Sequence, residues 1–437
     1  MFLQQFPDLI RWLLLFVAGA ALGSLLNLAI YRLAFVPRNL SPWSSPPPDS
    51  APRTWADRIP VLGWWFLRRE SGRHGRGFWV RPLLIELLTG IALIGFWQWQ
   101  TAGGLTGYRI DQLAPHQAAG FPLLAWHWFL FQATLLALLT VATFVDFDDQ
   151  TIPDGITVPG TLFALVLMTF NPSLRLPEMT RGLGAVQLGF LDFRSPDEPV
   201  TWHLGWPGLV VALVIVLVWC FALMPKTVTL RYGLVRGVRI LLASLRRPRR
   251  TTTASVPRRA ERRMSTYTGG LAVLALLLVL GVVFVWLAGG SRWDALFSSL
   301  LGLAMGGGIV WAVRIVAGYA LGVEAMGFGD VTLMCMIGAF TGWQPALLVF
   351  VIAPFTSILV ALVQLVASGE NRLAFGPYLC LATAIVLIGW SRVWNEWAAP
   401  GVFQAGGPLI LAVILVCLVL MAAMLAVWSQ VRRLWEG

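Results

Sequence analysis

The feature that most narrows what this chain can become is the recurrence of apolar stretches close to the ~20 residues that carry an α-helix across a bilayer. Eleven are readable, near 11–31, 82–99, 125–145, 155–170, 207–224, 268–288, 296–321, 331–343, 346–367, 376–391 and 408–428. Those at 155–170, 331–343 and 376–391 are short, so one or more is expected to be tilted, broken or re-entrant. The expected fold is therefore an all-α polytopic membrane bundle of about nine to eleven spans. Composition agrees: the chain is 57% hydrophobic and 12% charged, against roughly 25% charged residues in an ordinary soluble domain. The first stretch lacks a basic leader region and an A-x-A-type cleavage site, and reads as a retained span.

A net charge of +11 raises nucleic acid as a partner, but the basic residues are sorted by loop and give no basic face, so none is expected. The loop 32–81 carries nine arginines, and 225–266 holds Lys226 with eleven more, including the run RRPRR at 246–250. Loops 100–124 and 171–205 carry few. The positive-inside rule then puts the N-terminus outside and the C-terminus, with Arg432 and Arg433, in the cytoplasm. The RRPRR run reads first as a solvated topology anchor and second as a site for anionic lipid headgroups. Cys220, Cys335, Cys380 and Cys417 all fall in apolar spans without a CxxC pair, so they read as small core residues. His74, His116, His127 and His203 are scattered, with no HExxH spacing, which argues against a metal hydrolase.

Four regions follow: 1–99, with the first span, an arginine-rich loop and the second span; 100–224, a membrane region; 225–266, a basic linker; and 267–437, a second membrane region. Once spans are placed, two acidic clusters sit at span ends. One is 144-FVDFDDQTIPDG-155, and the other is Glu324 with Asp330 in 323-VEAMGFGDVTLM-334. The expected topology brings both to one side of the bilayer. Ionisable groups beside membrane spans are costly to keep and are functional candidates by default. Two aspartates from different helices can share a proton, one acting as general base toward water while the other polarises a peptide carbonyl. The glycines before Asp330 suggest a bare backbone that a strand-like substrate can approach. The plainer reading also stands on the residues alone: acidic residues are common at helix ends, Asp154 caps the next span, and GFG only bends the chain.

These residues resemble the bacterial prepilin peptidases, the type IV leader peptidases of the GxGD aspartyl protease class. The resemblance is carried by 19-GAALGSLLNLAIYRL-33, by 57-DRIPVLGWWFLRR-69 running into 81-RPLLIELLTG-90, by 145-VDFDDQTIPDGIT-157, and by 324-EAMGFGDVTLMCMIGAFTGW-343. The later 375-FGPYLCLA-382 also fits. It implies that Asp146 and Asp330 are the catalytic pair, with Gly327, Gly329, Asp148, Asp149, Asp154 and Glu324 as supporting residues. It further implies cleavage of the basic leader of type IV prepilins or type II secretion pseudopilins at the cytoplasmic face of the bacterial inner membrane. N-methylation of the new terminus with S-adenosylmethionine is a second activity common in the family, whereas proteolysis itself needs no cofactor.

Three departures bear on that expectation. Thr332 stands where the family usually has a lysine, the segment between Asp146 and Asp330 is long and contains the basic linker, and the two CxxC pairs of the first loop are absent. With one histidine and no cysteine in 33–81, zinc is not expected there. Trp55, Ile59, Val61, Leu62, Trp64, Trp65 and Phe66 instead read as an apolar cluster on the membrane surface, with Arg68 and Arg69 facing headgroups. The departures keep an alternative in view, a non-catalytic membrane assembly protein of a pilus or secretion system that retains the fold. A proton-relay carrier is a third, although the paired discontinuous repeats of transporters are not evident.

Overall fold

The computed structural model describes residues 7–35, 38, 40–44, 52–181, 186–196, 201–224, 258–321, 326–367, 375–404, 409–410, 412–417, 419–420 and 424. The helices are α1 (Asp8–Leu33), α2 (Leu62–Leu67), α3 (Ser71–His74), α4 (Val80–Thr101), α5 (Pro115–Ala118), α6 (Phe121–Asp149), α7 (Asp154–Phe170), α8 (Trp206–Ala222), α9 (Arg258–Ala288), α10 (Gly290–Leu321), α11 (Phe328–Thr341), α12 (Trp343–Ala367) and α13 (Gly376–Ile388). A further helical stretch, Trp390–Gln404, leaves α13 at 74°. Among the described residues six helices are long and apolar enough to cross a membrane, or seven with that bent pair as one span. Asp154–Phe170, Trp206–Ala222 and Phe328–Thr341 are shorter apolar helices. Ten of the eleven expected spans are thus helices, and the one at 408–428 is described only in part, with its described residues helical. Most of the basic linker falls outside the described residues, although α9 already begins at Arg258, inside the stretch assigned to it.

Without a hydrophobic driving force between helices in lipid, packing depends on small residues that let backbones approach. Two pairs show it. A Cβ on Gly302 of α10 would stand 2.0 Å from the Gly338 carbonyl oxygen of α11, and one on Gly338 would stand 2.0 Å from the Gly302 oxygen. Where α1 crosses α4, a Cβ on Gly19 would lie 2.8 Å from the Gly90 Cα, and one on Gly23 would lie 2.6 Å from the Glu86 Cα. Around α11, which is buried almost throughout, stand α7, α10 and α12, with Phe131 and Phe340 in ring contact at 4.7 Å.

The end of α6 that carries Asp146 adjoins the end of α1 and the start of α4. The Phe35 amide donates to Asp149 at 2.6 Å, and Arg81 bridges Asp148 at 2.7 Å. The opposite end of α6, with ends of α9, α10 and α12, meets a loop layer for which the sequence predicts no regular structure. There β1 (Pro177–Arg181) and β2 (Val186–Phe190) form an antiparallel hairpin, Pro177 opposite Phe190. Indole N–H groups hold the loop carbonyls: Trp128 donates to Ser173, Trp343 to Phe193, Trp390 to Pro177, Trp293 to His203 and Trp286 to Leu204, all at 2.8–3.0 Å. Tryptophan suits this work because its body is apolar and its one polar atom seeks an acceptor. Burial pushes the Glu178 carboxyl in β1 up from its ordinary pKa, with hydrogen bonds from Ser195 and Trp394 opposing the shift.

Two expectations are corrected. Cys417 is exposed, so it is not a core residue, while Cys220, Cys335 and Cys380 are buried. In the first loop Trp64 is not on an outer face: it is 1% exposed and donates to Glu86 at 2.8 Å. Arg69 is bound to the buried Asp57 at 2.6 Å and is not a headgroup-facing cation.

Candidate active site

Asp146 lies in the last turn of α6, and Asp330 in the first turn of α11. Both are buried, at 5% and 7% exposure, and the charge of Asp146 acts on Asp330 across the gap between them. What meets the two carboxylates is mainly backbone. The amide of Gly376, first residue of α13, bonds Asp146, and the amide of Gly327, just before α11, bonds Asp330. Each carboxylate therefore faces a helix N-terminus, where unpaired N–H groups and the helix dipole favour negative charge.

The glycines work through space. A Cβ on Gly376 would lie 2.6 Å from Asp146 Oδ2. A Cβ on Gly329 would lie 2.9 Å from the Ile152 Cβ and 3.1 Å from its backbone nitrogen. Gly329 thus lets the first turn of α11 press against the segment that leaves α6. That segment turns at Gln150, which closes α6 with a left-handed φ of 52° and donates its amide to the Asp146 carbonyl at 2.9 Å. Gly327 has an ordinary extended conformation, φ −66° and ψ 152°. The close approach at Gly329 is made by Ile152 of the same chain.

The supporting residues separate. Asp148 and Asp149 point back to the N-terminal region through Arg81 and the Phe35 amide. Asp154 is the first residue of α7, following Pro153 at the cap position, so it is not itself the cap. Glu324 lies outside the described residues. Thr332 is buried and turns its hydroxyl to the Gly329 carbonyl at 3.0 Å.

Three contributors were missed. Gly376 lies in a quoted motif but was given no role. Ile152, in the TIP segment, supplies the surface against which Gly329 packs. Arg314 in α10 donates to the Met326 carbonyl at 3.0 Å, packs over Phe328 at 5.7 Å and acts by its charge on Asp330. An arginine inside an apolar span was the available signal.

Among the described residues no group of three or more His, Cys, Asp or Glu side chains is arranged to hold a metal ion. Two buried carboxylates, one able to take a proton from water and the other to hold one against a carbonyl, suffice for metal-independent peptide hydrolysis.

Comparison with known proteins gives the family of the chain. Residues 17–100 match the bacterial peptidase A24 N-terminal domain, and residues 271–362 match the type IV leader peptidase family. A prepilin leader peptidase/N-methyltransferase of Klebsiella pneumoniae is 33% identical over 243 residues, covering 49% of this chain and 93% of the relative. One from Myxococcus xanthus is 29% identical over 253 residues, covering 56% and 67%. A third, from Pseudomonas aeruginosa, is 32% identical over 107 residues, covering 24% and 36%. No solved structure matches. With a relative of 33% identity matched over 93% of its length, the chain belongs to the type IV leader peptidase family.

Proposed function

We propose that the protein is a membrane aspartyl endopeptidase that removes the leader of type IV prepilins or type II secretion pseudopilins, with Asp146 and Asp330 as its catalytic pair. The observation that carries this reading is the meeting of the two buried carboxylates from opposite halves of the chain. One deprotonated aspartate takes the proton of the attacking water, and its protonated partner donates a hydrogen bond to the scissile carbonyl. The relatives' names include N-methyltransferase, and we propose methylation of the new N-terminus with S-adenosylmethionine as a second activity. Asp146→Asn and Asp330→Asn are each expected to abolish leader cleavage without loss of membrane insertion, since removing one member of such a unit disables the whole. Asp148→Asn should retain cleavage. Mass spectrometry of the processed pilin reads both activities; cleavage by either Asn variant at the parent rate rejects the pair, and an unmethylated product limits the protein to proteolysis.

The close fit of Gly329 on Ile152 yields a graded test. Valine at 329 forces the two aspartate-bearing segments apart, and misplacement by ~1 Å costs on the order of 100-fold in rate. Gly329→Val should therefore lower kcat by at least about ten-fold. Full activity would remove the glycine from the argument.

We place the protein in the bacterial inner membrane with the aspartates on the cytoplasmic side, a reading supported by the arginines of loops 32–81 and 225–266. Side chains such as Leu276, Leu280, Phe284 and Leu287, all more than half exposed on α9, would face lipid acyl chains. A reporter fused near residue 190 should then read as external. A cytoplasmic reading there inverts the topology.

The first loop is proposed to work without zinc. Arg53 pairs with Glu70 at 3.0 Å and Arg69 with Asp57 at 2.6 Å, cross-links that supply cohesion by other means. Purified protein should contain no stoichiometric zinc, and a chelator should leave cleavage unchanged. One zinc per chain, or activity lost to chelator, would contradict this.

A further inference from the structure

Helix α2, Leu62-Gly-Trp-Trp-Phe-Leu67, is apolar all round. A helix of that kind is covered on every side by protein or by lipid. Protein covers only half of it. Gly63, Trp64 and Leu67 are buried, with Trp64 on Glu86 and the Val61 amide on the other oxygen of Glu86. Leu62, Trp65 and Phe66, at i, i+3 and i+4, form the opposite face, and they are 52%, 46% and 43% exposed.

That face is continued by Ile59 and Trp55, exposed by 48% and 81%, and by Trp43, exposed by 61%. It also adjoins the membrane helices themselves, since Phe35 beyond α1 and Val80 and Leu84 of α4 are exposed. Two guanidinium groups lie on its rings: Arg58 is 5.5 Å from the Trp43 ring and 5.8 Å from that of Trp55, and Arg68 is 4.6 Å from that of Trp65. Arginines resting on indoles, with aliphatic side chains between, match the headgroup boundary of a bilayer, where ring bodies face acyl chains and cations face phosphates. Water would leave the aromatic face unsatisfied.

We infer that residues 53–70 form a platform that lies on the bilayer surface at the aspartate end, with anionic phospholipid headgroups bound at Arg58 and Arg68 and the face Leu62–Trp65–Phe66 dipped toward the acyl chains. The platform is rigidly joined to the membrane helices. Glu86, 1% exposed, accepts from Ser24, Asn27, Trp64 and the Val61 amide at 2.6, 3.3, 2.8 and 2.5 Å. The same region reaches the catalytic helix through Arg81–Asp148 and the Phe35 amide on Asp149. Lipid contact at the platform therefore fixes the height of the end of α6 relative to the membrane surface.

The test uses the full chain with Cys417→Ser, which removes the exposed cysteine and leaves the three buried ones. A spin label is placed at Leu62→Cys and, separately, at Phe66→Cys, and the protein is reconstituted in vesicles of phosphatidylcholine with and without phosphatidylglycerol. Retained prepilin cleavage or an unchanged melting temperature shows that each labelled chain is folded. In phosphatidylglycerol vesicles both labels should be relaxed more by oxygen than by a water-soluble nickel chelate. Arg58→Gln together with Arg68→Gln should move them outward and raise the phosphatidylglycerol fraction needed for half-maximal effect, by about five-fold per arginine. Greater relaxation by the chelate in every vesicle overturns the inference. So does protection that arises only when a prepilin is added, which would make the face a substrate surface. Depth that ignores both phosphatidylglycerol and the arginines overturns the headgroup assignment.

Discussion

Two carboxylates held away from water require partners, and an unmet buried charge costs several kcal/mol. Here the partners are the amides of Gly376 and Gly327, at the starts of α13 and α11. Both helices must therefore begin at the level where α6 ends. From that level α11, with 14 residues, and α13, with 13, extend only about 20 Å, short of the ~30 Å hydrocarbon core. Beyond their far ends lie the described parts of the loop layer, 171–181 and 186–196, and the stretch Trp390–Gln404. Irregular backbone at such depth persists only where its polar groups are met, and the indole donors from Trp128, Trp343 and Trp390 meet them. Site geometry on one surface thus sets the architecture of the other.

The N-terminal region answers a different difficulty. A six-residue helix cannot hold itself together, because nucleation is costly and too few bonds follow. Glu86 of α4 ties it to α1 and α4 by accepting from four donors on its two oxygens, and the pairs Arg53–Glu70 and Arg69–Asp57 close the loop on itself. Burial opposes charge on Asp57, yet bonds from Arg69 and Thr54 hold its carboxyl below the usual range. A depressed carboxylate stabilises the fold above its unfolded-state pKa and loses that contribution as pH falls through the folded value. Cohesion by ion pairs of this kind is therefore acid-sensitive.

Much of this was legible in the sequence because lipid leaves few options. Apolar runs announced the helices. Asp146 and Asp330 were readable from their motifs, and the structure brings them together. What could not be read was distance. The use of Gly329 as a contact surface, and not as a hinge, depends on where Ile152 lies, which no local pattern encodes. Trp64 and Trp65 are neighbours of one type, and only the position of Glu86 sends the first inward. Arg69 looked like a headgroup ligand because its partner Asp57 lies in another turn of the loop. The hairpin at 177–190 was hidden because five-residue strands carry too little pattern to stand out beside long helices.

Thr332 is the residue where sequence and chemistry most clearly diverge. Its hydroxyl turns back to the Gly329 carbonyl, closing the first turn of α11, and it brings no charge. The positive charge that acts on Asp330 comes instead from α10, where Arg314 also holds the Met326 carbonyl just ahead of the GFGD turn. The planar fork of its guanidinium can hold a carbonyl while stacking on Phe328. One side chain therefore both holds the path of the turn and contributes to the field at its carboxylate. Thr332 brings no cation to this turn, and the α10–α11 contact through Gly302 and Gly338 holds the helix that carries Arg314 against α11.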